Sequence, residues 1–474
     1  MELRPRQVAA VEAVREAYRR GKRRVLLVSP TGTGKTEMYL SIVHSALARG
    51  NKVLVLASQE ELIEQPGRKL EAAGQDFGVL QSDHWRLRPG LPLQLASVQT
   101  LARRGTRPEA AVVICDEAHL FVADTFKKIV ADYPKAVILG LTATPRRLDG
   151  RGLGELFEEL VIATTIEKEI ADGFLVPVRT IAPFVPDLSE IEVARGDFAR
   201  GKAARFMEKS AIVGDVVKTW KERAQGRTTI GFACDVAHSL KMVAACREAG
   251  INAAHVDGSA SRGERARLLA ELASGQLDFL WNAQLLTLGI DIPRVSCIVM
   301  ARPTLSETVY LQEGGRGLRP FPGKKDLLLL DHAGNCLRHG LIEWPREWSL
   351  TGKRVRQRDE QVPGLRLPCT KCFAVSPAGA FACVGCGALF PKKPRIVLER
   401  PGELQEVTLS SRAARFDPEA RARMLAKWIH DGRENGYAPG RAHVIFRNVF
   451  GVRPDPDTYA KAAALAEEKR SAAG

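Results

Sequence analysis

The sequence has 474 residues, with 70 Lys and Arg against 55 Asp and Glu, and its formal net charge is +15 at pH 7. A hydrophobic content of 45% is typical of globular domains and excludes a chain that is disordered throughout. No stretch reaches the roughly 18 apolar residues that a membrane-spanning helix needs, and the first residues lack the apolar core of a secretion signal. We therefore expect a cytoplasmic protein of about two to four domains, with no membrane partner.

Short runs rich in β-branched residues alternate with amphipathic stretches over residues 1–345. This alternation predicts parallel strands that are covered by helices on both faces. Because there are too many strands for one compact sheet, we expect two α/β domains, residues 1–175 and 176–345. The predicted strands are Val25–Val28, Val53–Ala57, Ala111–Cys115, Val137–Leu141, Thr229–Ala233, Phe279–Asn282, Cys297–Ala301 and Leu327–Leu330.

The pattern changes after Trp348, and the chain becomes more basic. Residues 340–474 carry 23 Lys and Arg against 15 Asp and Glu, which is +8 of the net charge of +15. This charge favours an anionic polymer as the partner, and the alternative is a basic surface that only confers solubility. We predict a basic linker at 346–366, a cysteine-rich module at 367–394 and a mainly helical tail at 395–474, with short strands near Ile396–Leu398 and Val407–Leu409.

A glycine-rich segment follows the first predicted strand and leads into a helix. It reads Ser29-Pro30-Thr31-Gly32-Thr33-Gly34-Lys35-Thr36. Its glycines let backbone N–H groups converge on a β-phosphate at the positive end of a helix, so Thr31, Gly32, Thr33 and Gly34 form the predicted cradle. Lys35 is expected to reach the β- and γ-oxygens, and the Thr36 hydroxyl to coordinate Mg²⁺. Ser29 replaces the usual first glycine, and a chance loop is the alternative.

Two carboxylates, Asp116 and Glu117, follow the strand Ala111–Cys115 directly. The carboxyl end of a parallel strand faces the crevice in which open α/β sheets bind their ligands. We expect Asp116 to hold Mg²⁺ and Glu117 to polarise the attacking water, because in-line displacement needs a positioned base and a cation. The alternative for either acid alone is a helix N-cap or first-turn carboxylate.

These segments, taken in order, resemble the motifs of superfamily 2 helicases. The first half contributes the phosphate loop, Asp116-Glu117-Ala118-His119 and Thr142-Ala143-Thr144-Pro145. The second half contributes Gly231-Phe232-Ala233, Asn282, Leu285-Leu286-Thr287, Gly289-Ile290-Asp291-Ile292-Pro293 and Gln312-Glu313-Gly314-Gly315-Arg316-Gly317-Leu318-Arg319. Leu3-Arg4-Pro5-Arg6-Gln7 and Ala301-Arg302-Pro303-Thr304 look like RadD-type DNA-repair helicases and related helicases of phages and prophages. The resemblance implies two tandem RecA-like domains that hydrolyse ATP with Mg²⁺.

The resemblance also implies roles for residues at the nucleotide. Gln7 would recognise adenine, and the alternative is an exposed helix glutamine. Arg316 and Arg319 would reach the γ-phosphate from the second domain as an arginine finger supplied in cis. Gln312 would line the same cleft. In the segment that begins at Gly289, Asp291 would bind the ribose, while Leu288 departs from the polar residue that relatives often carry.

Three further residues would couple the cleft to domain closure. The resemblance makes His119, Thr142 and Thr144 a relay that transmits γ-phosphate occupancy to the arrangement of the domains. For His119 the alternative is a histidine that only satisfies its hydrogen bonds.

Small polar residues after two strands align with the family's nucleic-acid contacts. Side chains of this kind bind backbone phosphates without reading the base sequence. The alternative for each of them is a helix N-cap. The predicted contacts are Ser58, Gln59, Ser97, Gln99 and Thr100.

Two CxxC pairs, Cys369 with Cys372 and Cys383 with Cys386, predict a zinc ribbon. Four thiolates can close a tetrahedron, and each hairpin is too small to fold without the ion. The alternatives are a redox dithiol and an iron–sulfur centre. The ribbon could contact nucleic acid, bind a protein or be purely structural, and we expect the other five cysteines to be core residues.

The motifs together predict an ATP-dependent helicase or translocase that acts on DNA. One alternative is an RNA helicase, because the motifs grip the backbone and do not settle the sugar. A second alternative is an ATP-gated DNA-binding scaffold that recruits a repair or replication protein through the ribbon or the tail.

Overall fold

A computed structural model describes most residues of the chain. The described residues are 3–58, 61–81, 84–103, 107–121, 123–147, 150–182, 188, 191–194, 196–208, 210–283, 291–351, 368–377, 380–390, 418–434, 440–450 and 453–471. Predictions made for Gln59, Leu285-Leu286-Thr287, Leu288, Gly289, most of the linker 346–366 and the two strands near 396–398 and 407–409 lie outside these residues.

Helices and strands alternate through the first two thirds of the chain. The helices are α1 (Pro5–Arg19), α2 (Lys35–Leu47), α3 (Glu61–Ala72), α4 (Val98–Arg103), α5 (Ala123–Ala131), α6 (Ile166–Ala171), α7 (Arg200–Met207), α8 (Ser210–Arg223), α9 (Val236–Glu248), α10 (Arg262–Ser274), α11 (Glu307–Gly315), α12 (Asn335–His339), α13 (Pro418–Glu434), α14 (Arg441–Phe450) and α15 (Pro456–Ser471). The strands are β1 (Arg24–Val28), β2 (Val53–Ala57), β3 (Gly78–Leu80), β4 (Leu93–Ser97), β5 (Val112–Cys115), β6 (Val137–Thr142), β7 (Glu159–Ile162), β8 (Val178–Ile181), β9 (Val193–Ala194), β10 (Asp197–Phe198), β11 (Thr229–Phe232), β12 (Ala253–Val256), β13 (Phe279–Asn282), β14 (Cys297–Met300) and β15 (Leu327–Asp331).

The first domain is built on a seven-stranded parallel sheet with the strand order β3-β4-β2-β5-β6-β1-β7. Alternate residues of β1 enter two different cores, with Val25 and Leu27 on one face and Leu26 and Val28 on the other. Because both faces are buried, the strands are continuously apolar. The carboxyl ends of β5, β6 and β1 are neighbours, so the segments that follow these strands meet at one edge.

The second domain is built on a six-stranded parallel sheet with the order β12-β13-β11-β14-β15-β8. A short antiparallel pair, β9 and β10, precedes α7. All eight strands that the sequence predicts within residues 1–345 are present, and the prediction of two α/β sheets is confirmed. The chain passes from the first sheet to the second between Ile162 and Val178.

The cysteine-rich module continues the second sheet at the edge strand β8. The amide of Ala182 donates to the carbonyl of Phe373 at 3.1 Å, and Ile181 forms an antiparallel bridge with Ala374. Val375 is buried in the core of the second domain. Residues 1–391 therefore form one compact unit, which includes this module.

The tail, residues 392–474, is a second compact unit. Its described residues form α13, α14 and α15, which bury an apolar cluster that includes Leu425, Phe446 and Phe450. The predicted helical tail is confirmed. No helix among the described residues of either unit is both long and apolar enough to span a membrane.

Candidate functional site

The glycine-rich loop connects β1 to α2 and is held by its own hydroxyl groups. Gly34, with φ of 84°, takes a left-handed conformation at the N-cap of α2. Thr33 Oγ1 donates to the carbonyl of Pro30 at 2.7 Å, so the Ser29 hydroxyl, 2.6 Å away, donates to Thr33. Ser29 is fully buried. The residue that replaces the usual first glycine thus stabilises the loop instead of distorting it.

Gln7 links the start of α1 to this loop. Its Nε2 donates to the Thr33 carbonyl at 2.9 Å, and its Oε1 accepts from the amide of Arg4 at 2.9 Å. A Cβ atom at Gly34 would lie only 2.3 Å from Gln7 Nε2, so only glycine fits there. The side chain is 7% exposed, which overturns the alternative of an exposed helix glutamine.

Lys35, Glu117 and the buried Asp116 form a charged group beside the loop. Lys35 Nζ lies 3.9 Å from Glu117 Oε1 and donates to the Ser29 carbonyl at 3.2 Å. Burial, together with the negative charge of Glu117, raises the pKa of Asp116 to about 7. Burial also lowers the pKa of Lys35. The raised pKa indicates that the positive charge around Asp116 does not fully balance its carboxylate. A divalent cation bound there would supply the missing positive charge.

His119 connects the acidic segment to β6 and to the second domain. Thr142 Oγ1 donates to the Thr144 carbonyl at 2.8 Å, so at 2.9 Å it accepts from Nδ1 of His119. His119 Nε2 is then an acceptor, and the Gln312 amide donates to it at 2.9 Å. Burial lowers the pKa of His119, in agreement with a neutral ring. The structure thus brings the four residues into one chain of hydrogen bonds across the cleft.

The second domain places two arginines beside the glycine-rich loop. Gly315, at the end of α11, packs so closely on Thr31 that a Cβ atom there would lie 2.9 Å from the Thr31 Cβ. Arg316 follows at once and is 8% exposed, and burial lowers its pKa to about 10. Arg319 forms an ion pair with Asp291 and lies against Gly32. The cationic groups of both domains therefore face the same loop.

Lys324 supports the loops that carry Asp291 and the two arginines, and the sequence did not predict this role. Its Nζ lies within hydrogen-bonding distance of four backbone carbonyls, which share its N–H groups: those of Pro293 at 3.1 Å, Val295 at 2.5 Å, Gly317 at 2.6 Å and Arg319 at 2.7 Å. These carbonyls belong to the two loops that carry Asp291 and the arginines. A lysine that follows a proline-glycine pair gives no sequence signal of such a role.

The predicted nucleic-acid contacts meet at the carboxyl ends of β2 and β4. Ser97 Oγ donates to Gln99 Oε1 at 2.8 Å, and Gln99 Nε2 donates to the Ser58 carbonyl at 3.0 Å. The Thr100 amide lies 3.4 Å from Ser97 Oγ, which is the N-cap arrangement named as the alternative for Ser97. The structure brings these four residues together at one edge.

The four module cysteines converge. Their sulfur atoms all lie within 4.8 Å of one another, with Cys372 Sγ 3.4 Å from Cys383 Sγ and Cys369 Sγ 3.8 Å from Cys386 Sγ. A tetrahedral ion with bonds of about 2.3 Å to sulfur needs sulfur separations of about 3.8 Å. The donors therefore fit a thiolate-bound metal. The other five cysteines are buried in the two domains, as predicted.

Two family models match this chain. "Type III restriction enzyme, res subunit" matches residues 1–147, and "Helicase conserved C-terminal domain" matches residues 208–320. Together they account for more than half of the chain, and they divide between the two sheets.

Among curated proteins, the chain is similar to a "51.5 kDa protein" of a Lactococcus phage, with 27% identity over 390 residues, 80% of this chain and 82% of that protein. It is also similar to the "Putative ATP-dependent helicase IRC3" of Saccharomyces cerevisiae, with 28% identity over 395 residues. That match covers 77% of this chain and 56% of the yeast protein, so the chain spans little more than half of this relative.

Solved structures share the fold. A fragment of a putative HsdR subunit of a type I restriction enzyme from Vibrio vulnificus matches with a TM-score of 0.56 and 22% identity, over 71% of this chain and 65% of that one. The type ISP restriction-modification enzyme LlaBIII bound to DNA matches with a TM-score of 0.53 and 17% identity, over 70% of this chain and 28% of that one.

Proposed function

Because this chain belongs to the superfamily 2 helicases, we propose that it hydrolyses ATP in the cleft between its two RecA-like domains and uses the energy to move along or unwind DNA. The observation that carries this proposal is the meeting of complementary groups in the cleft. The phosphate loop, Lys35 and two carboxylates face Arg316, and Gln312 is hydrogen-bonded across the cleft to His119 at 2.9 Å.

Each residue has a chemical task in this proposal. The backbone amides that precede α2 bind the phosphates at the positive end of the helix, and Lys35 neutralises their charge. Glu117 orients the attacking water and accepts its proton. Arg316 stabilises the charge that develops on the γ-phosphate, with Arg319 beside it. Gln7, which contacts the loop through Thr33, supports recognition of adenine, and Asp291 recognition of the ribose.

Mg²⁺ would be held by Asp116 and Thr36. When bound, it supplies Lewis-acid polarisation of the phosphate oxygens and charge neutralisation. The buried Asp116, whose pKa is raised to about 7, provides the anionic oxygen that such an ion requires.

The relatives support DNA as the polymer. The yeast protein is named an ATP-dependent helicase, one relative from Sulfurisphaera tokodaii is named a DNA 3'-5' translocase, and LlaBIII was solved with DNA. The residues Ser58, Ser97, Gln99 and Thr100 lie together at the carboxyl ends of β2 and β4, and we expect them to bind the phosphates of the strand. An RNA helicase remains the second candidate, because these contacts bind phosphates only. The closer resemblance to RadD-type repair helicases, and a cytoplasmic location, stay predictions.

The test is steady-state ATP hydrolysis by the wild type and by Lys35→Ala, without polymer and with single-stranded DNA, duplex DNA, forked DNA or single-stranded RNA at one fixed salt concentration. We expect hydrolysis that DNA stimulates more than RNA, and no hydrolysis by Lys35→Ala. Turnover that persists in Lys35→Ala would refute the site, and stimulation by RNA alone would favour the second candidate.

We also infer that the cysteine cluster holds zinc. Its sulfur separations and the N–H of Gly385, which lies 3.3 Å from Cys383 Sγ, support this ion. Elemental analysis should find about one zinc per chain in the wild type and none in the double variant Cys369→Ser/Cys383→Ser. A folded wild type that contains no metal would exclude the ribbon, and iron in its place would support the alternative cluster.

A further inference from the structure

The first turn of α11 makes a second connection between the domains, apart from the nucleotide. Glu307, its first residue, forms an ion pair with Arg146 of the first domain. Arg146 follows the Thr142–Pro145 segment directly, and its carbonyl accepts from Thr308 Oγ1 at 3.4 Å. The Arg146 side chain is only 13% exposed. An ion pair shielded from water in this way is stronger than one on the surface.

A strap of residues 346–351 holds the same glutamate from the other side. Arg346 Nε donates to Glu307 Oε1 at 2.9 Å. The rest of its guanidinium donates to four carbonyls at the end of α12 and just after it, those of His339, Leu341, Ile342 and Trp344. The beginning of the strap is therefore fixed to the second domain.

The end of the strap contacts the first domain. The amide of Gly154 donates to the Leu350 carbonyl at 2.9 Å, and Leu350 packs against the core beneath β5 and β6. Between the two ends, Trp348 packs against cores of both domains. The Arg146 guanidinium lies over its ring, 4.8 Å from the centroid. The strap follows the second domain in the sequence and returns to contact the first domain, so it connects the two.

We propose that Arg146, Glu307 and the strap form a latch that keeps the domains closed and sets α11 so that Arg316 faces the phosphate loop. This inference rests on the proposed ATP hydrolysis in that cleft. Arg146 and Glu307 are positioning residues: they act through α11, whose N-terminus they fix, while Arg316 follows its C-terminus. The latch stabilises the closed arrangement of the domains in the absence of nucleotide. ATP binding therefore costs less free energy for ordering the two domains.

The test compares Arg146→Gln, Glu307→Gln, their double variant and the conservative Arg146→Lys. We expect kcat to fall about ten-fold in each Gln variant, while KM for ATP changes less than about three-fold because the phosphate loop stays intact. The double variant should lose no more than about two-fold beyond either single variant, since residues in contact are not additive. Arg146→Lys should recover part of kcat. Small-angle scattering without nucleotide should show a larger radius of gyration for the Gln variants.

Arg86→Gln is the matched control. Arg86 is also shielded, pairs with Glu71 at 2.8 Å and lies 4.5 Å from a tryptophan ring, that of Trp85, but all within the first domain. We expect normal kcat and a normal radius for this variant. Unchanged kcat and radius in both single variants, or losses that add in the double variant, would overturn the latch.

A second variant guards against loss of folding. A Cβ atom at Gly154 would lie 3.1 Å from the Leu350 carbonyl oxygen, so Gly154→Val should displace the strap without removing a charge. It should reproduce the larger radius. If the wild type shows no ATP hydrolysis, the proposed function fails, but the scattering comparison still decides whether the latch exists.

Discussion

In the first domain, the cleft is lined by backbone amides, one lysine and two buried carboxylates, whereas in the second it is lined by arginines that follow α11. The first set is supported mainly by the first domain itself: Ser29 and Thr33 hold the loop, and Gln7 of α1 donates to it. The second set depends on distant residues, because Lys324 joins its loops and Gly315 allows α11 to approach. The comparison indicates that turnover should be sensitive to substitutions far from the nucleotide mainly in the second domain.

The largest expected effect on turnover comes from removing Arg316, which follows α11 on the second-domain side of the cleft. Arg316→Ala should lower kcat by about 10³-fold, because an arginine finger in cis stabilises charge that develops only in the transition state. ATP binding, measured with a non-hydrolysable analogue, should change little. Arg316→Lys retains a charge without the planar fork and should recover only part of the rate. Near-normal turnover of Arg316→Ala would show that another residue is the finger.

Lys324→Met tests the long-range support of the second half. The methionine keeps the length of the side chain but removes the donors to the Gly317 and Arg319 carbonyls, which lie 2.6 and 2.7 Å from Nζ. We expect kcat to fall about ten- to thirty-fold, since a catalytic group misplaced by about 1 Å can cost about 10²-fold in rate. Lys22→Met, on the exposed surface after α1, is the control. Normal turnover of Lys324→Met would mean that the two loops keep their conformation without the hydrogen bonds from Lys324.

Gly315→Ala tests how closely the two halves must meet. The added Cβ would lie 2.9 Å from the Thr31 Cβ, so α11 or the phosphate loop must shift by a few tenths of an ångström. We expect kcat to fall about five-fold with an unchanged unfolding temperature. Gly263→Ala, where a Cβ meets no atom within 4 Å, should have no effect on turnover. If both variants behave alike, the close contact is not needed for hydrolysis.

The smallest effect on turnover is expected from Glu313→Gln. This variant tests whether Glu313 of the second domain is protonated in the folded protein, and the measured quantity is stability. Burial raises the pKa of Glu313 to about 7, although Arg302 lies 3.2 Å away. The folded state therefore holds this proton up to a higher pH than the unfolded state, and stability is lost as the pH rises from about 4.5 to about 7. Chemical denaturation should give the free energy of unfolding of both proteins. From pH 5 to pH 8, the free energy of unfolding of the variant relative to the wild type should rise by about 2 kcal/mol. No movement would mean that Glu313 stays ionised in the folded protein.

The sequence predicted the sheets well where the strands are buried on both faces. Val25–Val28 and Leu327–Leu330 are continuous apolar runs, and both are central strands. Of the strands in the two parallel sheets, it did not predict β3, β4, β7, β8 or β12; Gln94, Arg179 and His255 interrupt the apolar pattern of β4, β8 and β12. Four of these five strands, β3, β7, β8 and β12, lie at the edge of a sheet, where only part of the strand is covered.

The candidate site was predictable where its chemistry is concentrated in short segments. The phosphate loop, Asp116 and the cysteine pairs are of this kind. Lys324, Arg146 and Glu307 were not predictable, because each is a common charged residue whose role depends on partners distant in the sequence. The roles of Asp291, Ser58, Ser97 and Gln99 rest on the resemblance and stay predictions, as do the domain limits.

The antiparallel bridge between Ile181 and Ala374 has a consequence for solubility. Unpaired hydrogen-bonding groups at the edge of a sheet are a template for association with other chains. In this protein the cysteine module pairs with part of β8, the last strand of the second sheet, and thereby covers it. With the proposed zinc bound by the four cysteines and needed for the module to fold, we expect metal withdrawal to uncover this strand. Chelator-treated protein should therefore form oligomers in size-exclusion chromatography before its helicase domains unfold.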